Sequence, residues 1–476
     1  VKTRGRTAIA LAILAAAACR KSPERSASLA AKEGSAASPA SASASTNAAN
    51  AASASASTAA TTCAPLPVDA FTLPPLDTSV IAAPLPEIVP PPPDAPSLDR
   101  LYGKLVALAA KNAKGHVRIA FYGDSNMTMD WITGGLRRAL QSKLGDGGHG
   151  FVAGGKPWGW YTHMDVRHGT DSDARWRYFA RSTHEAPDRH YGFANIAAQS
   201  LTGNAVSFAQ TAPDDAPVGT RASEVEVFWL RQPDGGSFEI LANGASAARV
   251  DTKGAYGPGF TKLHFADGPL KIENRVAGGL PVRIFGTVLE RDPKTTPGVV
   301  VDSLGCGALN FEQMTRVDDG TRSPQIAERD YDLVVFLIGT NMFAPTLHQQ
   351  WIHQVFGSLR KNAPNLPLML MSPPDHEDGK AAPHTDTRIV ALVKQWKEIA
   401  AAEGAAYWDF WSAMGGDASM RALAEKKLAS WDLVHFTQGG GTLMGQRFAH
   451  VLMDATARWL AAHPDAPCRA ASPAAP

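Results

Sequence analysis

Short apolar runs recur along this chain, most of them closed by Gly, Ser or Asp and most followed by a helical pattern. His116 to Tyr122 is the first, ending in Gly123-Asp124-Ser125. Gly298 to Val301, Asp332 to Ile338, Leu366 to Met371 and Ala405 to Phe410 follow it. Strands that are apolar on both faces and alternate with helices predict a parallel sheet covered on both sides, an α/β domain of three layers. After the first run, Met127, Trp131, Leu136, Leu140 and Leu144 share a helical spacing, with Gly145 as a stop. Arg388 to Glu403 and Leu443 to Leu460 carry helical patterns as well.

One interval breaks this rhythm. Between roughly Asp165 and Glu290 the helical period gives way to short alternating runs, among them Glu224 to Leu230, Ser237 to Leu241, Phe260 to Phe265 and Val282 to Leu289. Turns such as Ala242-Asn243-Gly244 punctuate them. That pattern predicts an antiparallel β-sandwich inserted between the first and second strands of the α/β domain.

The ends read differently again. Lys2, Arg4 and Arg6 precede the short apolar stretch Ala8 to Ala18. A membrane span needs about 20 apolar residues, so this stretch reads as a signal peptide. Ala16-Ala17-Ala18-Cys19 resembles a bacterial lipoprotein box with Cys19 as the lipidated residue. The expected division is a signal peptide over 1–19 and an unstructured Ala/Ser- and Pro-rich tether over 20–97. A discontinuous α/β domain follows over 98–165 and 296–464, with the sandwich at 166–295 and a flexible tail at 465–476. The expected location is export, as a periplasmic or outer-membrane lipoprotein or a secreted protein. Cys63 and Cys468 flank the folded region, placed either to bridge its two ends or to remain free thiols. With a net charge of +1, no basic field points to nucleic acid as a partner.

Ser125 stands where a buried strand hands over to a helix, at the sheet edge where ligands of α/β proteins bind. A serine nucleophile needs a base held in one tautomer by an acid. Asp432 and His435 offer such a pair after the last strand. Asp146/His149 and Asp165/His168 share the spacing, but they fall in or beside the inserted region and are expected to be solvated loop residues. Gly339-Thr340-Asn341 follows the strand ending at Ile338, where an amide could donate to an oxyanion or cap a turn. Ser303-Leu304-Gly305-Cys306-Gly307-Ala308 follows the second strand and offers a Gly N–H without a blocking side chain.

In this order, strand–GDS, strand–Gly loop, strand–GTN and DxxH before the last helix, the chain resembles the SGNH (GDSL-type) hydrolases. The resemblance implies a flavodoxin-like α/β/α domain, with Ser125 as nucleophile, His435 as base and Asp432 as orienting acid. It also implies an oxyanion hole from the Ser125 N–H, the Gly307 N–H (Gly305 as the alternative) and the Asn341 amide, with no metal or organic cofactor. Lys143 to Phe151 and the β insertion before Val300 to Gly305 look like the bacterial peptidoglycan O-acetylesterases. Asn126 departs from that group, where a His commonly follows the Ser. The implied activity is removal of acetyl groups from an acetylated glycan. An O-acetyltransferase with the same residues and a non-catalytic tethered glycan-binding protein are the alternatives. Trp158, Trp160, Tyr161, Trp176, Tyr178 and Tyr191 are candidates either for stacking on sugars or for core packing. His376 is a candidate for the cleft edge.

Overall fold

In the computed structural model, residues 66–67, 69–377 and 384–469 are described. The expected signal peptide, Cys19 and Cys63 lie outside them. Among the described residues no helix is long and apolar enough to cross a membrane.

The apolar runs form one five-stranded parallel sheet. Its spatial order is Val299–Gly305, Val117–Gly123, Leu333–Leu337, Leu368–Met371 and Ala406–Trp408. Alternate side chains of each strand enter different layers, as the period of two requires. Ile119, Phe121, Val301 and Val335 pack under the helices Trp131–Leu144 and Gln438–Ala462. Ala120, Tyr122, Val334 and Phe336 meet Ile326, Phe356 and Trp396 on the opposite face. This is the α/β/α layering expected, in flavodoxin-like order. Because the second strand lies on one side of the first and the third on the other, a crevice opens at the carboxyl ends of the first and third strands.

The helices Trp131–Leu144 and Gln438–Ala462 approach unusually closely. A Cβ on Gly445 would lie 2.0 Å from the Ile132 carbonyl oxygen, and one on Gly135 would lie 2.4 Å from that of Thr442. Only glycine permits that spacing, which draws the start of the closing helix towards the turn after the first strand.

The interval between the first and second strands builds two antiparallel sheets, as expected. Their shared core includes Val152, Trp176, Val227, Phe238, Ile240, Ile272 and Ile284. Antiparallel pairing begins earlier than the 166–295 expectation. Gly148–Ala153 pairs with Arg283–Glu290, so residues allotted to the α/β domain belong to the sandwich. A buried ionic knot joins the layers. Arg329 reaches Glu290 at 2.7 Å and Asp302 at 2.9 Å, while Arg118 reaches Glu290 at 2.7 Å. The Phe151 N–H donates to Asp302 at 2.8 Å.

The Pro-rich segment is not a free tether over its described part. Phe71, Leu73, Ile81 and Ile88 are buried in the helical layer, and Val89 pairs with Tyr407 beside the last strand. Proline spaces these apolar residues without a repeating element, so no period announced that they would dock. At the other end the fold runs past 464 into the short helix Ala466–Arg469, and Cys468 is disulfide-bonded.

Candidate active site at the sheet edge

Ser125 opens a one-turn 3-10 helix, Ser125–Met127, directly after the first strand. The buried Asp124 carboxylate accepts the Asn126 N–H at 3.1 Å and so caps that turn. Burial pushes the Asp124 carboxyl up, against the stabilising pull of that N–H.

His435 and Asp432 sit in the loop that enters the closing helix. His435 Nε2 lies 2.8 Å from Ser125 Oγ, and His435 Nδ1 lies 2.8 Å from Asp432 Oδ2. The second Asp432 oxygen accepts the backbone N–H groups of Val434 and His435, each at 3.0 Å. This local turn requires Leu433 to adopt φ 58. Burial pushes the Asp432 carboxyl up, but hydrogen bonds from the His435 ring and from these two N–H groups outweigh it and hold the acid below its usual range. An ionised Asp432 keeps the proton on Nδ1, which leaves Nε2 free to accept from the serine hydroxyl.

Asn341 follows the third strand. Its side-chain nitrogen is buried with no hydrogen-bond partner among the described residues, a donor that a developing oxyanion would satisfy. Its backbone is fixed from both sides. Arg388 donates to the Thr340 carbonyl at 2.7 Å and the Met342 carbonyl at 3.3 Å, and Asn310 donates to the Asn341 carbonyl at 3.3 Å.

The two glycines of the second-strand loop differ in kind. Gly305 is the last residue of its strand and pairs with Gly123; a Cβ there would lie 2.4 Å from the Met127 carbonyl oxygen. Its small size therefore serves the close approach of strand and serine turn. Gly307 lies beyond the strand, and the nearest atoms a Cβ there would meet belong to the Trp158 ring, at 3.2 Å.

Ser125, Asp432 and His435 share a cleft of about 430 Å³ with Met129, Trp131 and Trp160. Trp160 is 54% exposed and stacks on Trp158 at 6.4 Å. The other aromatic candidates mostly serve the core, since Trp158, Tyr161, Trp176 and Tyr191 are buried and Tyr178 is half-buried. His376 packs against Arg388 at 3.5 Å and is not part of the cleft lining. Sequence reasoning missed Arg388, and also Asn126, whose side-chain amide bonds the Val434 carbonyl and the Phe436 N–H, because both act on backbone groups far away in sequence and leave no spacing signal.

The two competing Asp-x-x-His pairs are not solvated, contrary to expectation. Asp146 accepts the N–H groups of Gly148 and Gly219, at 2.8 and 3.0 Å, and Asp165 pairs with Arg138 at 2.6 Å. His149 and His168 are buried with His163, whose ring meets theirs edge-on at 5.6 and 5.0 Å. Burial, aided by Arg137 and Lys156, pushes the His163 imidazole down to about 3. Ligand atoms of Asp130, His149 and His163 lie within 4.8 Å of one another, a spacing that admits a metal. Asp130, however, is already committed. It accepts from both Arg137 terminal nitrogens, at 2.8 and 3.1 Å, from the Met164 N–H at 2.9 Å and from Thr133. With the buried guanidinium neutralising the single carboxylate, the donor set fits a polar core better than a dication.

No protein-family model and no curated protein matches the sequence. Among solved structures, the chain is similar to a peptidoglycan O-acetylesterase at 22% identity and a TM-score of 0.62, over 75% of this chain and 96% of that one. At that identity the likeness shows the fold alone, a three-layer α/β/α domain with an added β domain. A family two carbohydrate esterase from Cellvibrio japonicus matches at 10% identity and a TM-score of 0.25, over 62% of this chain and 99% of that one. A salicylyl-acyltransferase from a tetracycline biosynthetic pathway matches at 13% identity and a TM-score of 0.26, over 64% and 99%. Those two superpose too loosely to support an argument.

Proposed function

We propose that this protein is a serine esterase that removes O-acetyl groups from a glycan through an acyl-enzyme. The observation that carries the reading is the unbroken chain Ser125 Oγ to His435 Nε2, His435 Nδ1 to Asp432, at the carboxyl edge of the parallel sheet. The added β domain and the fold shared with a peptidoglycan O-acetylesterase support an acetylated wall glycan as substrate.

In the proposed mechanism Ser125 Oγ attacks the acetyl carbonyl carbon as its proton passes to His435 Nε2. The carbonyl π pair moves onto oxygen. The resulting oxyanion accepts from the Asn341 amide and from the Gly307 and Ser125 N–H groups; one such donor is worth about 3–4 kcal/mol. Collapse breaks the bond to the sugar oxygen, which takes the proton from His435. Water then attacks the acetyl-serine with His435 again as base, releasing acetate and restoring Ser125. Asp432 holds the ring and stabilises the transient imidazolium throughout.

The same reading includes export with a lipid anchor at Cys19, supported by the basic residues and apolar stretch that precede it. Radiolabelled palmitate incorporated by the wild type and lost in Cys19→Ser is the expected result; equal labelling of both would remove the anchor.

The test of the activity measures acetate released from O-acetylated peptidoglycan and from a small acetyl ester, by wild type and Ser125→Ala. Serine-dependent release from both is expected. Release from the small ester alone would discard the glycan. Acetyl transfer to an added sugar in place of acetate release would make the protein a transferase, and inactivity with retained glycan binding would make it a binding protein.

A further inference from the structure

The base and the nucleophile of this site come from loops more than three hundred residues apart in sequence, and His435 and Asp432 are both substantially exposed, their side chains 42% and 47% accessible. Such a loop does not hold an imidazole in line with a serine hydroxyl by burial. The constraint comes from Asn126, the residue after the nucleophile. Its Nδ2 donates to the Val434 carbonyl at 3.1 Å, and its Oδ1 accepts the Phe436 N–H at 3.1 Å. Both ends of one buried amide are thus spent on the peptide groups either side of His435. The Asn126 backbone is itself fixed, because its N–H donates to Asp124 at 3.1 Å. One rigid turn therefore carries the nucleophile and grips the backbone of its base.

We propose that Asn126 is a positioning residue that clips the His435 loop to the serine turn and sets the Ser125–His435 alignment. This rests on the esterase reading for its kinetic consequence but not for its structural one. The two bonds are directional and of opposite sense, so they specify the amide and not simply its volume. A side chain that donates to Val434 but does not accept from Phe436, or the reverse, secures one flank and leaves the other free to swing. The clip touches no reacting atom, so its loss should lower turnover and leave substrate binding largely intact.

The experiment compares the full chain with Asn126→Ala, which removes both bonds, and Asn126→Asp, which keeps the volume and the acceptor but sets a carboxylate oxygen against the Val434 carbonyl. Hydrogen–deuterium exchange over residues 430–437 and steady-state kinetics on a small acetyl ester are read together. The expected result is faster exchange in 430–437 for both variants, with the Val117–Gly123 strand unchanged. A fall in kcat of about 10- to 100-fold at nearly constant KM should accompany it, the size expected of misalignment by about an ångström. Unchanged exchange in 430–437, or a kcat within twofold of wild type in both variants, overturns the proposal. The exchange arm decides even if no ester is turned over, so failure of the clip and failure of the esterase reading are told apart. Exchange that rises throughout the α/β domain would reduce Asn126 to an ordinary core residue and equally overturn it.

Discussion

Three Asp-x-x-His pairs occur in this chain, and the structure treats them in opposite ways. At 432 and 435 the pair is half-exposed, acid hydrogen-bonded to base and base to Ser125. At 146 and 149 the imidazole is 1% exposed, with neither ring nitrogen partnered among the described residues, while the acid serves two backbone N–H groups. At 165 and 168 the acid is bound to Arg138 and the ring accepts the His163 N–H. Spacing brings an Asp and a His into reach; surroundings decide whether the pair faces a serine hydroxyl or fills a core. Low dielectric around the buried rings keeps them neutral.

The largest effect that could break this contrast is in the exposed pair. Ester hydrolysis by Ser125→Ala or His435→Ala should fall by about a million-fold in kcat, and by Asp432→Asn about ten-thousand-fold, on the pattern of other serine triads. Asp146→Asn and Asp165→Asn should alter the unfolding temperature and leave kcat within a few-fold. Comparable kcat losses in all three acid variants would erase the distinction.

Asn341→Ala tests the orphaned amide. A kcat loss of about 100- to 1,000-fold, with KM little changed, is the effect of removing one oxyanion donor. Next in size is the comparison of the two glycines. Gly305→Ala should unfold at clearly lower temperature, because its Cβ would lie 2.4 Å from backbone at Met127. Gly307→Ala, whose Cβ would first meet the Trp158 side chain rather than backbone, should fold like wild type and lose kcat several-fold. The reverse pattern, measured by thermal melts and steady-state kinetics, would transfer the oxyanion role to Gly305.

The last contrast is pH-dependent. His163 is held neutral, its value moved from 6.5 down to about 3, so the unfolded chain binds its proton more readily. Its contribution to stability is complete above about pH 6.5 and is lost as pH falls from there towards 3, by about 1.4 kcal/mol per pH unit. His163→Gln should flatten that part of the melting-temperature profile. A profile identical to wild type would show that the buried histidines do not titrate in this way.

Much of the site was legible in order. The runs ending at Tyr122, Ile338 and Phe410 are apolar enough to be strands in isolation, and Ser125 and Asn341 follow such ends directly. The docking of Phe71, Leu73, Ile81 and Ile88 was not, because proline-spaced apolar residues carry no period. Nor was the start of the sandwich at Gly148, whose glycine-rich run hides the alternation of a strand.

What the sequence by itself determined is the alternation of buried strands and helices, the insertion of a β-sandwich, and the residue types waiting at each strand end. Local periodicity and chain order suffice for these. Chain order already pointed to His435; only the tertiary structure decided how that histidine is brought to Ser125. The glycine contact between the helices Trp131–Leu144 and Gln438–Ala462 draws one loop to the serine turn, while packing of the sandwich closes over the other two pairs. Both are contacts between segments remote in sequence, where the size of one side chain matters only against a neighbour that the linear order does not reveal.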